Sequence, residues 1–232
     1  MPPVIKNLLI INGIVFLAQM AFPVFDERIA LYLFTSDLFN PFQIVTHMFA
    51  HANFFHIFLN MFALWMFGAA LENVWGPKRF LTFYLICGLG AAVLHSGVSY
   101  LEYAQAISGY SQADINDMLS NGRALLESGK NYSDPNLAKA NIAANVPAVG
   151  ASGAVFGVLT AFGLLFPNTL LYIYGVLPVK AKYLIILYIA VEVYSGFINA
   201  PGDNVAHFAH LGGALFGFIM VKIWGADKKR FY

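Results

Sequence analysis

Apolar residues fill six long stretches of this chain, at about 7–24, 53–71, 80–100, 149–166, 183–197 and 205–224. Each approaches the roughly 20 mostly apolar residues that cross a bilayer as a helix. The fifth is short by that measure and is expected to extend back to Leu177 or forward to Ile198. Between the stretches the connections are unequal. Trp75-Gly76-Pro77-Lys78-Arg79 and the region around 178–182 are tight turns. Residues 25–52 form a longer link, rich in Phe, Leu and Ile and suited to lying partly in the interface. Residues 101–147 are the only extended polar interval, with helix-like runs near 113–128 and 136–145. The pattern predicts an all-α, polytopic bundle of six transmembrane helices in one domain over 1–232, carrying a polar insertion at about 101–147. No internal repeat is visible, which argues against a transporter built from inverted halves.

Composition agrees. Of 232 residues, 59% are hydrophobic and 11% charged, against about 25% charged in soluble domains; mean hydropathy is +0.66. The net charge of +1 offers no basic face for nucleic acid, so none is expected as a partner. A single cysteine, Cys87, rules out an intramolecular disulfide and a cysteine cage and reads as helix filler. Lys6, Lys78, Arg79, Lys180, Lys182, Lys222, Lys228, Lys229 and Arg230 fall on one side of an even-span topology. Arg28, Arg123, Lys130 and Lys139 fall on the other, mostly in a long loop where charge carries little topological weight. Both termini are therefore expected to be cytoplasmic. The first stretch has one basic residue before it and no small-residue cleavage site at Phe22-Pro23-Val24-Phe25, unlike a cleaved signal.

Three polar intrusions interrupt the apolar stretches, where polar groups are costly and usually functional. Gly150-Ala151-Ser152-Gly153-Ala154-Val155-Phe156-Gly157 opens the fourth stretch. A serine in a first helical turn lies beside backbone N–H groups without intrahelical partners, which could hold an oxyanion. Alone, the segment reads first as a small-residue packing face. His207 and His210, three apart, open the sixth stretch, and Gly213 and Gly217 continue the face of His210. Contact between that face and the glycines around Ser152 would bring a base to the hydroxyl. His207 has no such face and reads as a neutral histidine bonded to a carbonyl. In the second stretch His56 and Asn60 share a face one turn apart, able to donate together to an oxyanion; His47 and His51 read as anchors of the outer loop.

Taken together, His51/His56/Asn60, Gly150-Ala151-Ser152-Gly153 and Ala209-His210-Leu211-Gly212-Gly213, in that order on spans two, four and six, resemble the rhomboid intramembrane serine proteases. The segment 68–80, with Glu72, Gly76 and Arg79, is also similar to that family's turn between spans two and three. The resemblance implies a Ser-His dyad without an aspartate: Ser152 as nucleophile and His210 as base and then acid. Asn60, His56 and the Ser152 backbone N–H would form the oxyanion hole. Gly150, Gly153, Gly213, Phe156 and His51 would support the site. It implies no cofactor and no metal, transmembrane protein substrates entering beside the fifth helix and the Pro201-Gly202-Asp203 loop, and residence in a bilayer, expected to be a bacterial inner membrane. Two features depart from the family: Phe156 stands where many members have tyrosine, and the outer loop before the fourth span is long. Glu192, in the fifth helix, reads either as a hydrogen bonder at the gate or as facing the interface. Alternatives left open are an inactive rhomboid-like binder of transmembrane helices and a metal or haem membrane protein using His47/His51 and His207/His210.

Overall fold

The computed structural model describes residues 1–173, 175–198 and 205–224. Five helices are long and apolar enough to cross a membrane: α1 (Pro3–Ala21), the span Phe54–Trp75, α6 (Pro77–Ala106), α10 (Ala181–Ile198) and α11 (His207–Trp224). Between α1 and the second span the chain forms α2 (Pro23–Ile29) and α3 (Gln43–Thr46), then a 3-10 turn over His47–Phe49. The second span comprises α4 (Phe54–Ala63), a π-helical stretch Leu64–Gly68 and α5 (Ala69–Trp75). The insertion folds as α7 (Gln112–Glu127) and α8 (Pro135–Asn145). A shorter apolar helix, α9 (Ser152–Leu165), follows. The chain is thus a multi-pass, all-α integral membrane protein, as the apolar pattern predicts.

Several boundaries differ from that pattern, and three of the differences have a clear physical reason. The first helix begins at Pro3, whose missing N–H is harmless in a first turn. Its next N–H groups are capped from far away: Glu72 accepts from Val4 N at 2.9 Å and Ile5 N at 2.8 Å. The fourth stretch yields only 14 helical residues, because Gly150, at φ 125°, breaks the backbone before the helix. Residues 177–180, a possible extension of the fifth helix, instead pair antiparallel with Leu170–Ile173 in a two-stranded hairpin, β1 and β2 (Leu177–Lys180). The fifth helix extends forward to Ile198. The loop Pro201-Gly202-Asp203 and the basic residues Lys228, Lys229 and Arg230 lie outside the described residues.

α6, α9 and α11 pack backbone to backbone. A Cβ at Gly213 would lie 1.7 Å from Gly153 O; one at Gly217 would lie 2.8 Å from Gly157 Cα; one at Gly212 would lie 2.9 Å from Ala91 Cα. Without such residues helices sit 8–10 Å apart; with them, dispersion contacts between backbones replace the hydrophobic effect that lipid cannot supply. Around this centre lie Leu64, Phe80, Phe83, Tyr84, Cys87, Val158 and Ala161, all fully buried. Large apolar side chains such as Phe54, Phe58, Ile14 and Ile186 face outward to lipid.

At one end, Arg79 donates to Trp224 O at 3.3 Å and lies over the Trp224 ring, tying the start of α6 to the end of α11. At the other, α7 and α8 build a small core of Met118, Ala140 and Ala144 against Tyr103, Ala106 and Leu33. Ser111 and Asp114 form a reciprocal cap on α7. Arg123 pairs with Glu27 of α2 and holds that carboxyl below the usual carboxylate range.

Two substitutions test this packing. Gly213→Ala is expected to destabilise by about 1–3 kcal/mol or more, whereas Gly13→Ala, with open space around it, should be neutral or stabilising by up to about 1 kcal/mol; thermal unfolding in detergent reads both. Glu72→Ala strands two N–H groups and should cost about 1–3 kcal/mol, with Glu72→Gln costing less.

Candidate active site

Ser152 is the first residue of α9. At about 1.5 Å per residue, its 14 residues span about 21 Å, less than the roughly 30 Å hydrocarbon core, so α9 is too short to cross that thickness by itself. The outer loop covers and fixes it: Leu31 and Ala148 exchange two backbone bonds, and Gly150 N donates to His47 O at 2.9 Å. Gln43, buried at the centre of that loop, donates to Leu38 O at 2.9 Å and accepts from Asn40 N at 3.1 Å. Val155 N is the first to reach back within the helix, to Ala151 O. The N–H groups of Ser152, Gly153 and Ala154 therefore have no carbonyl one turn earlier in the helix.

The glycine contacts bring His210 to this point. Its Nε2 lies 2.9 Å from Ser152 Oγ. Phe156, one turn beyond the serine, stacks on the imidazole with centroids 4.2 Å apart and planes within 8°. The ring contact expected at this position is present in geometry, without a hydroxyl. His56 lies on the other side: a Cβ at Gly150 would come 2.9 Å from His56 Nε2 and 3.4 Å from Ser152 Oγ. His56 Nδ1 accepts from Ala52 N at 3.4 Å. That leaves the ring proton on Nε2, on the edge that faces Gly150.

Asn60 is buried, and its amide donates to His56 O at 2.9 Å along its own helix. Among the described residues no hydrogen bond joins it to Ser152 or His210. His51 anchors the outer loop: its N–H donates to Gln19 Oε1 at 3.0 Å, and its carbonyl accepts from Gln19 Nε2 at 3.2 Å. Its ring meets His56 edge-on at 5.2 Å. Burial, with His56 beside it, pushes His51 down to about 4, so it is neutral at physiological pH. A cavity of about 10 Å³ lies behind Ser152, lined by His47, Met48, His95 and Ala148 among others, at the lower limit for a single water.

Two further residues meet at the site. His207 has a carboxylate partner that its sequence reading lacked, with Nδ1 2.7 Å from Glu192 Oε2. The same oxygen lies 3.0 Å from His210 Nδ1, off the ring N–H axis, since that nitrogen has no aligned hydrogen bond. Glu192 thus faces inward. The accompanying glycine sits on the partner helix: a Cβ at Gly196 would meet His207 Cβ at 3.2 Å. Glu192 and Gly196, i and i+4 on an otherwise apolar helix, were the readable signal. Glu192, His207 and His210 offer ligand atoms within 4.8 Å of one another, a spacing that a metal ion could also bridge.

The Rhomboid domain family model matches residues 39–118 and 131–226, leaving out part of α7 and the turn after it. The chain is 28% identical to "RHOMBOID-like protein 12, mitochondrial" of Arabidopsis thaliana over 91% of its own length and 55% of the relative's. It is 26% identical to "Rhomboid protein 1, mitochondrial" of Saccharomyces cerevisiae, over 76% and 40%. With "Rhomboid protease AarA" of Providencia stuartii it shares 24%, over 92% and 69%. The chain spans about half the length of the first two. With mitochondrial proteins among these relatives, the bacterial inner membrane expected from the sequence finds no support. The family itself does: the chain belongs to the rhomboid family.

Proposed function

We propose that this protein is an intramembrane serine endopeptidase that hydrolyses peptide bonds of transmembrane proteins. The observation that carries this reading is the 2.9 Å contact between Ser152 Oγ and His210 Nε2, held by backbone-close helices and by the Phe156 ring. A base within hydrogen-bond reach of a hydroxyl is the requirement for activating serine. The name of the Providencia stuartii relative, a rhomboid protease, supports it further.

In this mechanism Ser152 Oγ attacks the substrate carbonyl while His210 Nε2 takes its proton. The oxyanion forms over Gly150, beside the His56 Nε2–H and the first N–H groups of α9; Asn60 supports it through the turn it shares with His56. His210 then gives its proton to the departing amine, leaving an acyl-serine. Water enters from the recessed outer face, loses a proton to His210 and attacks the ester; collapse releases the acid and restores the serine. Substrate helices enter beside α10, and helices that unwind easily are preferred. Residues 101–147 act as an insertion in a single domain. The face bearing Lys6, Lys78, Arg79, Lys180, Lys182 and Lys222 is cytoplasmic.

Cleavage of a model transmembrane substrate by reconstituted protein tests the reading. Ser152→Ala and His210→Ala are each expected to lose cleavage by at least about a thousandfold; undiminished cleavage by either removes that residue from the mechanism. His56→Ala, removing one oxyanion donor, should lower kcat by about 100- to 1000-fold while Ser152 stays intact.

A further inference from the structure

Glu192 is the single carboxylate of α10, and only 8% of it is exposed, although its neighbours Tyr188, Val191 and Tyr194 face outward. A carboxylate held inside a membrane helix is costly unless paired. Its Oε2 lies 2.7 Å from His207 Nδ1 and 3.0 Å from His210 Nδ1. His210 Nε2 must be unprotonated to take the Ser152 proton, so the ring proton belongs on Nδ1, the edge that this oxygen faces. Among the described residues, the other titratable groups around His210 are His207 on its own helix, His56 on α4 and His95 on α6, and Glu192 is the anion beside it. One turn along α10, Gly196 lets the helix close against His207.

We propose that Glu192 is a positioning residue for His210. It keeps the proton on Nδ1 and offsets the positive charge the ring acquires as Ser152 attacks. Through His207 it fastens α10 to α11. The base is therefore fully oriented only while α10 is seated, so the helix beside which substrate enters also completes the site behind it. This deepens the serine-protease reading and rests on it.

The test compares wild type, Glu192→Gln, Glu192→Asp, His207→Ala and Ser152→Ala, reconstituted with the same model substrate over a range of pH. Glu192→Gln is expected to lower kcat by about 10- to 100-fold, less than for an aligned acid because the contact is off-axis, with KM changed less than about threefold. Loss of the negative charge disfavours the imidazolium, so the acid limb of the kcat profile should move to lower pH by up to about one unit. Glu192→Asp should return that limb towards wild type and recover part of the rate. His207→Ala should leave the limb in place and lower kcat less. An unchanged kcat and acid limb in Glu192→Gln, with Ser152→Ala inactive, overturns the positioning role and leaves the protease reading standing. A kcat loss that comes only with a lower thermal midpoint, no pH shift and no recovery in Glu192→Asp shows packing alone and also overturns it. Wild-type activity abolished by a chelator and restored by zinc overturns it in favour of a metal site. Full cleavage by Ser152→Ala sinks the protease reading instead.

Discussion

Backbone contact between α9 and α11 is the constraint on which the rest of this molecule depends. In lipid, apolar side chains gain nothing by meeting one another, so helices associate where their surfaces approach most closely. Gly153, Gly157, Gly213 and Gly217 interleave with no room for a Cβ between them. Ser152 and His210 lie at one end of that seam. Ser152 and His210 meet because their helices cannot stand at ordinary separation, and Phe156 covers the imidazole because it follows one turn below the serine.

The remaining elements hold this seam at its depth and cover it. Glu72 ties the start of α1 to α5, and Arg79 ties α6 to the last turn of α11, so the inner end is fastened by charge and capping. The outer end is closed by the loop folded around Gln43 and bridged to Ala148. α10 is joined to its neighbours by Ala181 N to Thr169 O and Lys182 N to Pro167 O at its start, by Ile185 against Gly163, by the Glu192 contacts and by the close approach at Gly196.

Much of this was legible in the sequence because the signals were local. Six apolar stretches mark the bundle, and the glycines around Ser152 and below His210 mark faces that fit each other. The two insertion helices announce themselves by their polar caps at Ser111 and Asp134. What sequence alone left open depended on pairs far apart in the chain. Glu72 reads as a charge in a turn until the N-terminus of α1 is placed over it. Glu192 reads equally as a hydrogen bonder at the gate or as facing the interface until His207 and His210 arrive from another helix. The hairpin of β1 and β2 carries no such signal, because two four-residue strands are too short to show a period of their own.

The shortness of α9 acts as a depth gauge. With Leu165 level with the inner hydrocarbon boundary, Ser152 stands about 21 Å above it, some 9 Å beneath the outer one. A polypeptide reaching the serine from outside covers that distance with about six residues as a helix or three if extended. In the proposed reaction the residue reaching Ser152 is one that a hydropathy count would assign to the membrane, and its carbonyl would have to leave helical hydrogen bonding before attack. Fourteen residues of helix, fewer than a span needs, would then set both the depth of the proposed cleavage and the conformation in which it occurs.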